Sequence, residues 1–173
     1  MSNEKIVPLI KGAVKHIPGI KSFLGSKTGG TCVSRYCYSV WMRHLKHFSN
    51  AEKGIPRVVV ELGPGDSMGI GLSALLAGSD RLVALDVVRY WDPERNLRIL
   101  DELIELFASM ARIPDNDEFP RVFPEIDDYR FPEKIISESK LRELLAPERI
   151  ARIRKELMTI DDSRNTMISA FVP

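Results

Sequence analysis

The chain of 173 residues has few cysteines, no long apolar run and almost no net charge. Each shortage excludes something. Cys32 and Cys37 are the only thiols. Two cysteines five positions apart, with no second pair, do not make a zinc site. The expectation is reduced thiols in the cytoplasm. No apolar stretch approaches the length that spans a bilayer. The start, Met1-Ser2-Asn3-Glu4-Lys5, lacks the layout of a secretory leader, because its apolar run Ile6 to Ile10 is short and contains Pro8. The net charge is +1. That balance supplies no field to gather nucleic acid or an anionic membrane. No internal repeat and no low-complexity tract appears. What remains is 44% hydrophobic and 28% charged. It is ordinary globular material, long enough for one domain with a single core.

The stretch that organises this material is Val58-Val59-Val60-Glu61-Leu62-Gly63-Pro64-Gly65-Asp66-Ser67-Met68-Gly69-Ile70-Gly71. Three β-branched residues read as a buried parallel strand. A Gly-Pro-Gly turn follows, then an apolar run from Ile70 to Ala77 that reads as a helix. Strand, glycine turn and helix are how an open α/β sheet holds a nucleotide-like ligand. Gly63 and Gly65 suit backbone with positive φ close to such a ligand. A second strand, Arg81-Leu82-Val83-Ala84-Leu85-Asp86, ends in an acid. From Gly65 to Asp86 is 21 positions, the spacing at which a carboxylate takes ribose hydroxyls. A nicotinamide-type G-x-G-x-x-G starting at Gly63 needs glycine at position 68, where Met68 stands.

Acid-x-Gly-x-Gly at one strand end, followed by an acid closing the next, resembles the class I S-adenosylmethionine-dependent methyltransferases. Glu61-Leu62-Gly63-Pro64-Gly65 matches their first motif, and Asp86 matches the acid that holds the adenosine ribose. Ser67 stands where the family often has a third glycine. The resemblance implies a Rossmann-like α/β fold: an open parallel sheet with helices on both faces. It implies S-adenosylmethionine as cofactor, with Glu61, Gly63, Gly65 and Asp86 at its site and Val87 flanking the adenine. Relatives of this type carry a glycine-threonine turn and Arg-Tyr-x-Tyr-x-x-Trp ahead of the first motif. Thr28 to Thr31 and Arg35-Tyr36-Cys37-Tyr38-Ser39-Val40-Trp41 stand there. Arg35 is the expected fork for the methionine carboxylate, with Tyr36 or Tyr38 as hydroxyl donor.

The rest of the chain reads around this unit. Lys5 to His16 is a short amphipathic pattern. Val33 to about Phe48 is a helix with Val33, Tyr36, Cys37, Val40, Trp41, His44, Leu45 and Phe48 on its apolar stripe. Asp66 and Ser67 are expected helix caps. Asp92 and Pro93 open another helix that runs through Ala111. Residues 113–132, rich in proline and acids, read as an irregular, lid-type insertion. Two short helices, Pro132 to Leu145 and Pro147 to Met158, and a third strand from Thr166 to Pro173 complete the pattern. His44 and His47 share a helix face without a matching acid, and Asp127-Asp128 and Asp161-Asp162 read as solvated loop charge, so no metal site is expected. The division is a helical cap segment, 1–56, and a partial cofactor-binding domain, 57–173, with a helical insertion at about 113–160.

The resembling family has a seven-stranded sheet, and the likeness covers its N-terminal half. The expected product is therefore a truncated or complemented methyltransferase, with a second copy or a complementing chain covering the exposed sheet edge. The expected acceptor is a small or sugar-like molecule, since the neutral charge argues against nucleic acid. No catalytic base is assigned, because acceptor groups belong to the half not matched. The alternatives are an inactive cofactor-binding or interaction module and, less favoured by Met68 and Glu61, a nicotinamide-dependent oxidoreductase.

Overall fold

A computed structural model describes residues 30–52 and 54–173. The Lys5 to His16 pattern lies outside the described residues. The order is a single 3₁₀ turn (Gly30–Cys32), α1 (Ser34–Glu52), β1 (Val58–Leu62), α2 (Gly69–Ala77), β2 (Arg81–Leu85), α3 (Pro93–Ala108), α4 (Glu138–Leu144), α5 (Pro147–Met158) and β3 (Ile168–Phe171). The three strands form one parallel sheet in the order β1-β2-β3. Val60 stands beside Val83, which stands beside Ser169. The fold is thus α/β with an open parallel sheet.

Helix α2 is the centre. Its residues Gly69, Gly71, Leu72, Ser73, Ala74, Leu75, Leu76 and Ala77 are all buried. A helix apolar all round must be covered all round. The cover is the sheet on one side and α1 and α3 on the others. Close approach needs glycine at two points. A Cβ on Gly71 would overlap Leu82, and one on Gly69 would overlap Cys37. Helix α2 ends at Gly78, whose φ is +119°, and its N–H closes onto Ala74 and Leu75. Arg149 of α5 then donates to the Leu75 and Ser79 carbonyls at 2.7 and 3.1 Å. Helix α3 begins as its sequence dictates: the Asp92 carboxylate accepts from the Arg95 amide, and Pro93 occupies the first helical position.

Three expectations need correction. Helices were expected on both faces of the sheet, but those among the described residues pack on one. Strand positions alternate between faces. Val59, Glu61, Leu82, Ala84 and Ile168 point toward the helices. Val58, Val60, Leu62 and Phe171 point the other way and are 54, 54, 77 and 55% exposed. The valine run is therefore not buried on both sides. Among the described residues nothing covers this apolar face.

The second correction concerns the stripe of α1. Tyr38, Trp41, Met42 and Leu45 carry its core face, whereas Val33, His44 and Phe48 are exposed. The helix is rotated because a second face, bearing Ser39 and Arg43, is buried under residues 111–132.

That segment is the third. It is irregular, as expected, but it is not a free lid. Arg43 is 0% exposed. Its guanidinium donates to the Pro114 carbonyl (2.7 Å), the Asn116 Oδ1 (2.7 Å), the Val122 carbonyl (2.6 Å) and Ser39 Oγ (3.0 Å). The Tyr129 ring lies 5.1 Å from it. Tyr38 adds a bond from its hydroxyl to the Ala111 carbonyl at 2.7 Å. Where α5 meets β3, the buried Glu156 carboxylate accepts from the Met167 and Ile168 amides at 2.8 and 2.9 Å.

Candidate functional site

The carboxyl ends of parallel strands, where the chain leaves the sheet, are where open α/β sheets bind ligands. Here they frame an open hollow of about 680 Å³, lined by Leu62, Gly63, Leu85, Asp86, Val87, Phe171, Val172 and Pro173. Among the described residues that line it, Asp86 has the one charged side chain. The rest of the lining is apolar side chain and glycine backbone. A flat, uncharged ring with one polar, hydroxyl-bearing end matches such walls.

The glycine turn has the backbone that its sequence requires. Gly63 and Gly65 have φ of +67° and +71°, a region that costs a Cβ-bearing residue about 1–2 kcal/mol. A Cβ at Gly63 would point into open space, so conformation rather than crowding asks for glycine there. The Gly63 N–H donates to the Leu85 carbonyl at 2.7 Å, extending the β1–β2 ladder past the strand end. The Gly65 N–H donates to Asp86 Oδ2 at 3.3 Å. Asp86 Oδ1 accepts from the Val87 and Val88 amides at 2.7 and 3.4 Å. The carboxylate is thus aimed by three backbone amides and stays partly exposed at the rim. Gly63, Gly65, Asp86 and Val87 come together as one cluster.

Glu61 does not line the hollow. It shares parity with Val59 and so turns under α2. Its Oε2 accepts from the Gly71 N–H at 3.0 Å. Its Oε1 is buried and has no hydrogen-bond partner among the described residues. Burial pushes this carboxyl up to about 8, against the opposing pull of the Gly71 bond.

The start of α2 is filled by the chain's own acceptors. Thr31 Oγ1 takes the Asp66 and Ser67 amides at 3.1 and 3.3 Å. Asn96 Oδ1 takes the Met68 amide at 3.0 Å, and Ser67 Oγ takes that of Gly69 at 3.1 Å. With Glu61 on Gly71, the amides of Asp66, Ser67, Met68, Gly69 and Gly71 already have partners within the chain. Thr31 and Asn96 thus hold the glycine turn and the helix start in place, a role the sequence reading did not assign them. The Gly29-Gly30-Thr31 turn was the available signal for Thr31. Asn96 carried none, being one polar residue on an amphipathic helix.

Arg35 and Tyr36, at the start of α1, are not among the residues that line the hollow. The Arg35 guanidinium forks onto Glu118, with Nε and Nη2 each 2.7 Å from a carboxylate oxygen. These hydrogen bonds hold the Glu118 carboxyl below its usual range and raise Arg35. Tyr36 meets Phe119 edge-on, with ring centroids 5.5 Å apart. Tyr38 is buried and its hydroxyl is spent on Ala111, so it faces no ligand.

No group of histidine, cysteine or acidic side chains among the described residues is arranged to hold a metal ion. Asp128 and Asp162 are each paired with an arginine two residues on, Arg130 and Arg164. No described helix is long and apolar enough to cross a membrane. Compared with family models, curated proteins and solved structures, the chain matches none.

Proposed function

We propose that the hollow binds the adenosyl part of S-adenosylmethionine, and that the chain is the cofactor-binding part of a methyltransferase acting on a small or sugar-like acceptor. One observation carries this reading. A carboxylate held by three amides stands at the tip of β2, across from a positive-φ glycine turn, above an otherwise apolar hollow. Paired ribose hydroxyls suit that carboxylate, and an adenine ring suits the wall of Val87, Leu85 and Phe171. The cofactor supplies an activated methyl group. The residues of this chain bind and orient it.

The filled start of α2 supports the same reading against a dinucleotide. A pyrophosphate needs free amides there, and Glu61, Thr31, Asn96 and Ser67 hold those of Asp66, Ser67, Met68, Gly69 and Gly71. The uncovered sheet face favours a second reading, a cofactor-binding module without turnover, since among the described residues the lining of the hollow offers an acceptor no polar side chain besides Asp86. Calorimetric titration with S-adenosylhomocysteine and with NAD separates these. Saturable heat with S-adenosylhomocysteine and none with NAD is expected. The reverse pattern would discard the methyltransferase reading. S-adenosylhomocysteine binding, but no methyl transfer from S-adenosylmethionine to any acceptor, would select the inert module.

A further inference from the structure

We propose that Glu118 is a placeholder at the Arg35 fork, displaced when the carboxylate of an amino-acid-bearing nucleoside arrives, so that the 117–121 tip is a latch on the site. The inference rests on the adenosyl reading of the hollow and extends it to a competing contact within the chain.

The tip is built for exchange while its roots are not. Arg43 grips residues 114, 116 and 122, and it is fully buried. Between those anchors, residues 117–121 reach α1 through two side chains. Glu118 meets the Arg35 fork, and Phe119 meets the Tyr36 ring. Arg35 and Glu118 are 46 and 39% exposed. An ion pair so open to water is held weakly and can trade partners. Its two parallel bonds also demonstrate what the fork accepts: a planar carboxylate, gripped at both oxygens.

The latch lies next to the glycine turn through an unbroken line of contact. Thr31 bonds the Asp66 and Ser67 amides. Gly30, beside it, lies against the Tyr36 ring so closely that a Cβ would overlap it. Tyr36 in turn touches Phe119. On the adenosyl reading, an amino-acid tail that leaves Asp86 past the glycine turn heads toward Thr31 and the first turn of α1, which carries this guanidinium. It and Glu118 compete for one fork. The cost of displacing Glu118 is subtracted from the affinity of any carboxylate-bearing ligand, and from no other.

The test compares S-adenosylhomocysteine with 5′-methylthioadenosine, which has the same nucleoside and sulfur but no carboxylate. Both are titrated calorimetrically into the full chain and into Glu118→Gln and Arg35→Gln. Glu118→Gln is expected to bind S-adenosylhomocysteine about fivefold more tightly, the scale of one solvent-screened ion pair. Its affinity for 5′-methylthioadenosine should not move. Arg35→Gln should weaken S-adenosylhomocysteine alone. An unchanged S-adenosylhomocysteine affinity in Glu118→Gln, or equal shifts for both ligands, would overturn the latch while leaving the adenosyl site standing. Failure of the parent chain to bind either nucleoside would overturn both.

Discussion

Arg43→Ala is expected to lower the unfolding free energy by about 3–5 kcal/mol. The guanidinium binds α1 to the 111–132 segment at three points, the Pro114 and Val122 carbonyls and the Asn116 side chain. Its removal leaves the buried Val122 carbonyl and the half-buried Asn116 oxygen without this donor, and leaves the Pro114 carbonyl with Ser39 alone. Each such loss costs roughly 1–3 kcal/mol, and the vacated volume adds to it. Arg43→Lys keeps the charge but not the fork, and should recover only part of the loss. Urea denaturation followed by circular dichroism measures both. A change below about 1 kcal/mol for Arg43→Ala, within the range of an ordinary surface substitution, would show that the segment does not depend on this residue.

The second large effect is a pH dependence set by Glu61. Its carboxyl titrates near 8 in the fold, against 4.5 for the free side chain, because burial disfavours the ionised form. Between those values the folded chain holds a proton that the unfolded chain has released. Stability therefore falls as pH rises from about 4.5 to about 8, and is level beyond either end as far as this group is concerned. Across the window the loss is on the order of 4 kcal/mol. Glu156 acts with the opposite sign. Burial opposes ionisation there too, but the Ile168 and Met167 amides, among other donors, outweigh it and hold the carboxyl below its ordinary range. Its contribution is present above the unfolded value and is lost as pH falls, so it shapes the acid side. Glu61→Gln keeps an acceptor for the Gly71 amide and carries no charge. It should match the parent near pH 4.5 and exceed it increasingly toward pH 8. Parallel pH profiles for parent and variant would mean that Glu61 is ionised in the fold.

The organisation from 58 to 86 was legible because local signals agreed. The valine run, the two positive-φ glycines and the apolar helix each demand one backbone state, and together they demand one motif. The opening of α3 at Asp92–Pro93 and the third strand were legible for the same reason. What could not be read depended on neighbours distant in sequence. Alternation puts Val58, Val60 and Leu62 on one face but does not say whether anything covers it. Glu61 has the parity of Val59, yet only the packing of α2 turns that side into the inside. Arg43 looks like any helix arginine until the 111–132 segment lies on it. Thr31 stands just ahead of α1, but its hydroxyl caps the glycine turn, because the 3₁₀ turn carries it across.

The central claim is that the Asp86 carboxylate, aimed by the Gly65, Val87 and Val88 amides, is the handle for a ribose. The measurement that bears on it most directly is the affinity of Asp86→Ala for S-adenosylhomocysteine, against that of the parent chain. Loss of a charge-assisted pair of hydrogen bonds should weaken binding by roughly tenfold to a hundredfold. Equal affinity in parent and variant would contradict the account.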